Sequence, residues 1–467
     1  MNDAQEHREE DAAVGEDSGT RFYGLNDEIV QEIQEAIERE DAALIYERLA
    51  DWHSADMADL IEQLKPKLRL PFLQIMGERV DPDVYSDLDE NVREHLVDDM
   101  EPAEIAAFLN ELELDDAVDV LESFEEDEQR EVLKEIPADE RVVLQEGLSY
   151  GEDSAGRLMQ RNLIAVPEYW DIGQTIDYMR DTDDLPDEFY EIFVVDPRHH
   201  PIGTLSLNRA MRSKRQVLVR DIMDTEQKLI PVDMDQEEVA YLFQQYRLAS
   251  AAVVNEDGAL IGVITVDDIV DVISEEAEED ILRLGGVSED DLFGSVMSTT
   301  RARFLWLFVN LLTAIAASVA IGLFDATMEA IIALAVLMPI VASMGGNAGT
   351  QTLTVAVRAL ATKELTAGNM LRILSKETMV AFLNGSIFAV LIGIVAWLWF
   401  SSLNIGLIIA LAMIVNIIVA AVAGMIVPVT LDRMKIDPAI ASSVFVTTVT
   451  DIVGFVAFLG LATIVLL

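Results

Sequence analysis

Apolar residues recur at i, i+3, i+4 and i+7 in HSADMADLIEQL (53–64) and in EPAEIAAFLNELELDDAVDVLESF (101–124). Pro and charged turns separate such stretches, and no strand pattern interrupts them. That period predicts short amphipathic helices over about 25–149, stacked as a superhelix or solenoid. From 150 the pattern changes, and it does so twice in one layout. LM, LIAV, a helical IGQTIDYMR, an extended EIFVVD and PIGTLSLNRAM are followed by IM, LIPV, a helical DQEEVAYLFQQY, SAAVVNEDG and LIGVITVDDIVDVI. Strand, helix, paired strands and helix thus repeat with a period of about 60 residues. EAEEDILRLGGVSEDDLFGSVMSTT (276–300) reads as an acidic amphipathic connector, helical in its first half and stopping near Gly285-Gly286. Apolar runs then cover about 304–324, 329–357, 378–400, 405–431 and 439–467, each long enough to cross a bilayer.

The loops orient these spans. Arg301 and Arg303 precede the first; Arg358, Lys363, Arg372 and Lys376 lie between the second and third; Arg433 and Lys435 lie between the fourth and fifth. The loops after the first and third spans carry no Lys or Arg. That alternation predicts five spans with the N-terminal region inside and the C-terminus outside.

Charge divides the chain in the same place. From Arg301 onward there are 7 acidic and 8 basic residues, so the first 300 hold 77 of the 84 acids and 24 of the 32 bases. An acidic soluble region precedes a nearly neutral membrane region, and nucleic acid is not an expected partner because its phosphates would be repelled. Arg outnumbers Lys 24 to 8, which fits adaptation to a high-salt cytoplasm; bulk acidity can have that cause, but it does not explain acids at special positions. MNDAQEHREEDAAVGED has no apolar core, so no cleavable signal peptide is expected and residues 1–24 read as an acidic disordered tail. Cysteine is absent, which excludes thiol chemistry. The five histidines lack metal-ligand spacing and no nucleophile–base pair is evident, so an enzyme is not expected.

Two features inside the apolar runs call for a role. Asp451 is the one ionisable residue between Ala439 and Leu467, and a charge at the bilayer centre costs about 2.5–3.5 kcal/mol on insertion scales. Thr447, Thr448 and Thr450 accompany it, Thr447 on the same helix face. In the second span, MPIVASMGGNAGTQTLTVAVRAL (338–360) places Pro339, Gly345-Gly346 and Gly349 beside Asn347, Thr350 and Gln351. This predicts a helix broken at mid-membrane depth and lining water, the bland reading being a glycine-mediated helix contact. One carboxylate per chain cannot cage an ion, but Mg²⁺ keeps several of its waters and is held by one or two carboxylates. Two chains would supply two Asp451 side chains to one hydrated ion. Asp325 and Glu329 fall in an outside loop, where they could gather cations or simply be solvated.

The repeated unit over 150–275 resembles a tandem of CBS domains. MPIVASMGGNAGTQTLTVAVRALAT together with DPAIASSVFVTTVTDIVGFVAFLGLA resembles the MgtE family of magnesium channels and transporters, as does the order of parts. The resemblance implies a multidomain chain: an all-α superhelical N domain (25–149), α/β CBS domains over 150–216 and 217–275, an acidic connector or plug helix (276–302), and an all-α transmembrane domain of five spans (303–467). It implies a homodimer in the inner or plasma membrane with a central pore and cytosolic Mg²⁺ sensing. Asp451 matches the family's pore aspartate and the Thr447 carbonyl a pore ligand one turn earlier. The sensing acids correspond to Asp83, Asp115 and Asp119 in the N domain, to Asp235, Glu237, Asp268 and Asp271 in the second CBS domain, and to Glu276 and Glu279, with Asp280 adjacent, in the connector. Arg247 stands where an acid would be expected. Thr265 and Asp268 also have the spacing that many CBS domains use for ribose and phosphate, which makes ATP a candidate ligand; Arg209 replaces the matching acid in the first repeat.

The expected activity is Mg²⁺ uptake down its gradient, closed by cytosolic Mg²⁺. Acidic faces on linked elements repel one another, divalent ions draw them together, and ion release lets repulsion open the pore. A proton- or cation-coupled antiporter and a membrane-tethered CBS nucleotide sensor are the alternatives. Currents separate the first from a channel; nucleotide binding without flux would identify the second.

Overall fold

A computed structural model of the chain describes residues 25–50, 52–97, 100–124, 126–182, 185–186, 189–287 and 296–466. The expectations for the tail (1–24) and for 288–295 of the connector lie outside those residues. The chain divides into two compact units, with the boundary between Val272 and Ile273.

In the first unit, the described residues before 150 form ten short α-helices, α1 (Asp27–Glu38) to α10 (Ala138–Gly147), with one 3₁₀ turn and no strand longer than an isolated bridge. Local chemistry sets their ends. The Asn26 side chain caps α1 by accepting from Ile29 N at 2.9 Å, satisfying a donor that the helix leaves unpaired. Val30, Ile33 and Ile37 of α1 are buried at helical spacing and join one core that runs through the domain by way of Ile45, Leu60, Phe72, Val92 and Leu121. Helix α8 (Leu114–Glu122) buries Ala117, Val118, Val120 and Leu121 and carries Asp115, Asp116 and Asp119 on its other positions. The all-α expectation holds.

Each CBS repeat builds a three-stranded sheet of the same topology. β1 (Ala165–Pro167) lies parallel to β2 (Glu191–Val195), which pairs antiparallel with β3 (Pro201–Ser206). β4 (Leu229–Pro231), β5 (Ser250–Val254) and β6 (Leu260–Thr265) repeat it, with a register shift at the equivalent place, Val194/Val195 and Val253/Val254. The helices are α11 (Ile172–Asp181), α12 (Leu207–Arg212), α13 (Val219–Ile222), α14 (Gln236–Tyr246) and α15 (Val266–Gly285). The repeats clasp each other: Gln160 exchanges both backbone hydrogen bonds with Val263 (2.8 and 2.9 Å), and Asp224 does the same with Thr204 (2.7 and 2.9 Å). Gly262 and Gly203 stand at these crossings, where a Cβ would lie 2.9 Å from the Gln160 carbonyl or 2.6 Å from that of Asp224.

The connector is helical in its described first half, the helix stopping at Gly285, as expected. Its residues 276–285 continue α15 without interruption from the second CBS repeat, and 296–302 open the first membrane helix. The helix ends where Gly286 adopts φ 70°, a conformation that glycine takes without strain.

In the second unit, α16 (Val296–Gly322), a short α17 (Asp325–Ala330), α18 (Ile332–Ala361), α19 (Met370–Phe400), α20 (Leu403–Arg433) and α21 (Pro438–Leu466) follow. Among the described residues, five helices are long and apolar enough to cross a membrane, as the apolar runs predict. α20 packs against α18, α19 and α21. Its seam with α19 uses small residues, Gly385, Gly393 and Gly406 meeting the facing helix closely, as expected where van der Waals contact rather than water exclusion drives association. α16 rests on α21 and leaves Phe304, Leu305, Leu307 and Phe308 exposed in the single chain.

One expectation is overturned. α18 is a continuous helix through Pro339, Gly345, Gly346 and Gly349. Gly345 receives the Asn416 side chain of α20, and Gly349 meets Val446 of α21. The glycines admit neighbouring helices instead of breaking this one.

Candidate functional site

Within the membrane unit, the polar residues of α18 fall into one stripe. Ser343, Asn347, Thr350, Gln351 and Thr354 are exposed in the single chain, and their spacing of 4, 3, 1 and 3 residues keeps them on one helical face. The hydroxyls of Thr350 and Thr354 donate back to Gly346 O (3.1 Å) and Thr350 O (3.0 Å), and Asn347 Nδ2 reaches Ser343 Oγ at 3.5 Å. On α21, Thr447 is exposed and Asp451, one turn later, is half-buried. The Thr447 carbonyl accepts a hydrogen bond from Thr450 Oγ1 at 2.9 Å. Thr450 itself is fully buried, its methyl turned towards Gly349.

The first unit gathers acids from three elements. The Asp115 carboxyl is buried, with Oδ1 lacking a hydrogen-bond partner among the described residues. Burial, and then the charges of Asp268, Asp116 and Glu113, hold it well above the ordinary carboxylate range. Asp116 is pushed up to about 7 by burial and then by Asp268, Glu113, Asp83 and Asp119. Asp268, on the first turn of α15, is raised to about 6 by burial, against the lowering bond from the Thr265 hydroxyl. Asp83 is raised by burial, Asp81 and Asp87; Asp271 is raised by burial, Asp87 and Asp267. The N-domain acids Asp83, Asp115 and Asp116 and the CBS acids Asp268 and Asp271 therefore sit in shared electrostatic surroundings. Helical pattern alone passes over Asp116, Glu113 and Asp87, although the doubled acid in ELDDAVD points to α8.

The other expected sensing acids of this unit have partners of their own, although the charge of Asp119 also reaches Asp116. Asp119 is an ion-pair partner of Arg93 at 2.8 Å, a guanidinium that is only 5% exposed. Asp235 caps α14 by accepting from Glu237 N at 3.0 Å. Arg247 closes the same helix in the left-handed region, φ 54° and ψ 50°. Asp268 accepts from Thr265 Oγ1 at 2.8 Å and Thr265 N at 3.3 Å, and from Gln160 Nε2 at 3.4 Å. That arrangement caps the start of α15, so the two residues proposed for a nucleotide already serve each other.

In the second unit, Glu279 pairs with Arg283, which also reaches Asp437 at 2.5 Å. Burial, then Asp437 and Glu276, raise Asp280 to about 6. Leu284 packs beside Leu353, Val357 and Ala439, towards the C-terminal end of α18 and the N-terminal end of α21. Asp437 lies in the loop between the fourth and fifth spans, inside the quoted DPAIASS motif, yet its charge is legible as a partner only once the chain is folded. Among the described residues no three carboxylate or imidazole groups converge closely enough to ligate one ion directly.

Comparison with known proteins agrees with this division. The model described as a divalent cation transporter matches residues 338–461, that of the MgtE intracellular N domain matches 52–153, and that of the CBS domain matches 155–214 and 219–275. The magnesium transporter MgtE of Thermus thermophilus is 30% identical over 449 residues, covering 95% of this chain and 99% of the relative. That of Bacillus subtilis is 28% identical over 411 residues, 87% of this chain and 91% of the relative. A solved cytosolic domain of the Mg²⁺ channel MgtE in complex with ATP is 29% identical, covers 52% of this chain and 99% of its own, and superposes with a TM-score of 0.49. With the family's three domain models in the family's order, and a relative matched along nearly its whole length, the chain belongs to the MgtE family of divalent cation transporters.

Proposed function

We propose that this protein conducts Mg²⁺ into the cell down its electrochemical gradient, as a homodimer in the inner or plasma membrane with its N-terminal domains in the cytoplasm. One observation carries the reading: a stripe of uncharged polar side chains on α18 and the half-buried Asp451 on α21, in helices that are otherwise apolar. Facing lipid, such groups would be costly; facing a second copy across a water-filled path, they are solvated. Asn347, Thr350 and Gln351 then line the path with the Thr447 carbonyl. Two Asp451 carboxylates, one from each copy, hold the ion through its water shell, because Mg²⁺ loses water reluctantly.

The same reading assigns feedback control to the acids of the soluble region and connector. In the first unit, Mg²⁺ joins Asp83, Asp115, Asp268 and Asp271, with Asp116 added to the set; Asp119, Asp235 and Glu237 contribute charge around it. Glu276 and Glu279 serve the connector. Cytosolic Mg²⁺ screens the mutual repulsion of these groups and favours the closed arrangement; its loss favours the open one. ATP belongs to the reading as a ligand of the CBS pair, with Thr265 and Asp268 as its contacts.

The test is ²⁸Mg²⁺ uptake by liposomes at varied internal Mg²⁺. Uptake is expected to fall as internal Mg²⁺ rises, and Asp451→Ala should abolish it while leaving the purified protein folded. Parent-level uptake in Asp451→Ala would remove the pore assignment.

A further inference from the structure

Asn416 is fully buried at mid-length of α20, the helix that touches three of the other four long membrane helices. Its Nδ2 donates to the Val341 carbonyl of α18 at 2.9 Å, and its Oδ1 is buried with no hydrogen-bond partner among the described residues. Two glycines on two different helices make room for it. A Cβ at Gly345 of α18 would run into the Asn416 amide, and a Cβ at Gly454 of α21 would lie 2.7 Å from Nδ2, 3.0 Å from Cγ and 3.1 Å from Oδ1. Gly345 lies between Ser343 and Asn347 in sequence, on the buried face of α18 opposite the polar stripe. Gly454 is three residues, close to one turn, beyond Asp451. The backbones that carry both sets of polar groups therefore rest on one side chain.

We infer that Asn416 is a positioning residue for permeation: its amide is a wedge between α18 and α21 that sets the spacing between the α18 stripe and Asp451. An apolar side chain would fill the volume but leave the Val341 carbonyl without this donor. A smaller one would let the two glycine backbones close in. Spacing matters because a site for a hydrated ion discriminates through cavity size and ligand reach: Mg²⁺ holds its water shell tightly, whereas Ca²⁺ accepts irregular, closer carboxylate ligation. Groups that orient ligands without touching the ion commonly change its binding or activity by about 10–100-fold when removed.

The inference rests on the pore reading of Asp451, and the experiment separates the two. Asn416→Ala, Asn416→Ser, Asn416→Ala combined with Gly345→Ala, and Asp451→Asn are reconstituted at equal amounts of monodisperse protein. Mg²⁺ and Ca²⁺ uptake are measured for each. Asn416→Ala should lower Mg²⁺ uptake about tenfold and change the Mg²⁺ to Ca²⁺ ratio. The added methyl of Gly345→Ala should refill part of the space and move the ratio back. Asn416→Ser, which shortens the wedge less than alanine and keeps a polar hydroxyl, should give a smaller change in the same direction and serves if the alanine variant does not fold. A lowered melting temperature with uptake per folded protein and ion ratio unchanged in the alanine and serine variants would leave Asn416 a purely structural contact and overturn the inference. If Asp451→Asn is silent while those variants match the parent, only this inference falls. If Asp451→Asn conducts like the parent, the pore reading falls and this inference with it.

Discussion

At the scale of single residues, adjacent glycines have opposite meanings. Gly345 and Gly346 are equivalent as letters, but a Cβ at Gly345 would enter the Asn416 amide whereas Gly346 has nothing within 4 Å. Gly345→Ala should therefore cost about 1–3 kcal/mol through overpacking. Gly346→Ala should be neutral or stabilise α18 by about 0.5–1 kcal/mol through better helix propensity. Thermal unfolding in detergent checks the pair: a lower midpoint for the first only is expected, and equal midpoints would contradict the packing. The pattern MPIVASMGGNAGTQ was enough to mark this stretch as special, but it pointed to a broken helix. Whether a glycine breaks a helix or receives a neighbour depends on what stands opposite it, and Asn416 is 71 residues away from Gly345 in the chain.

At the scale of elements, α15 has the widest role. It begins with the cap formed by Thr265 and Asp268, and in the second unit its end is held by Arg283 and Leu284. Arg283 is the cation beside Glu279 and Asp437, near an acid, Asp280, already raised to about 6. Arg283→Gln should remove an ion pair of about 1 kcal/mol at this partial exposure and leave Asp437 without that partner. Limited proteolysis near Gly285-Gly286 should then be faster than in the parent at low ionic strength, with the difference shrinking in high salt. Unchanged cleavage at low salt would show that Leu284 packing alone holds the helix end. Helical periodicity made α15 legible on both sides of residue 275, yet it suggested two elements because composition turns acidic there. The backbone ignores that change: no glycine or proline stands between Val266 and Leu284 to stop it.

At the scale of the whole molecule, charge and orientation set what can be measured. Asp116 and Asp268 bind a proton more tightly when folded, at about 7 and about 6, than at the ordinary value of 3.8. Between those values the folded chain holds more protons than the unfolded one, so their contribution to stability is full below about pH 4 and is lost as pH rises through 6 to 7. Without divalent ions, the thermal midpoint of the soluble region should therefore rise when pH is lowered from 8 to about 5.5, and Asp116→Asn should raise the midpoint at pH 8, through a gain in unfolding free energy of roughly 1–3 kcal/mol. Saturating Mg²⁺ should flatten the pH dependence if these acids hold the ion. A midpoint that falls steadily on acidification would contradict the burial of both groups. The Lys and Arg alternation adds a topological expectation: a tag after Leu467 should be reachable only from outside, and labelling from the cytoplasmic side would exclude five spans.

The sequence by itself determined the all-α first domain, the two equivalent α/β repeats, the five membrane helices and the lone Asp451. Each follows from a local regularity: a period of 3.6, a repeated order of elements, a run of apolar residues, one carboxylate among them. Which acids share an environment was decided by tertiary structure alone. α8, from Leu114, and the start of α15, at Val266, are far apart in the chain, and only folding turned Asp115 and Asp116 towards Asp268 while pairing Asp119 with Arg93 and setting Asp235 as a helix cap. The same holds for Asn416, an unremarked polar letter in an apolar helix until the packing of α18 and α21 buried it against Gly345 and Gly454. Periodicity is a property of neighbours along the chain, whereas burial and electrostatic pairing depend on what folding brings across it.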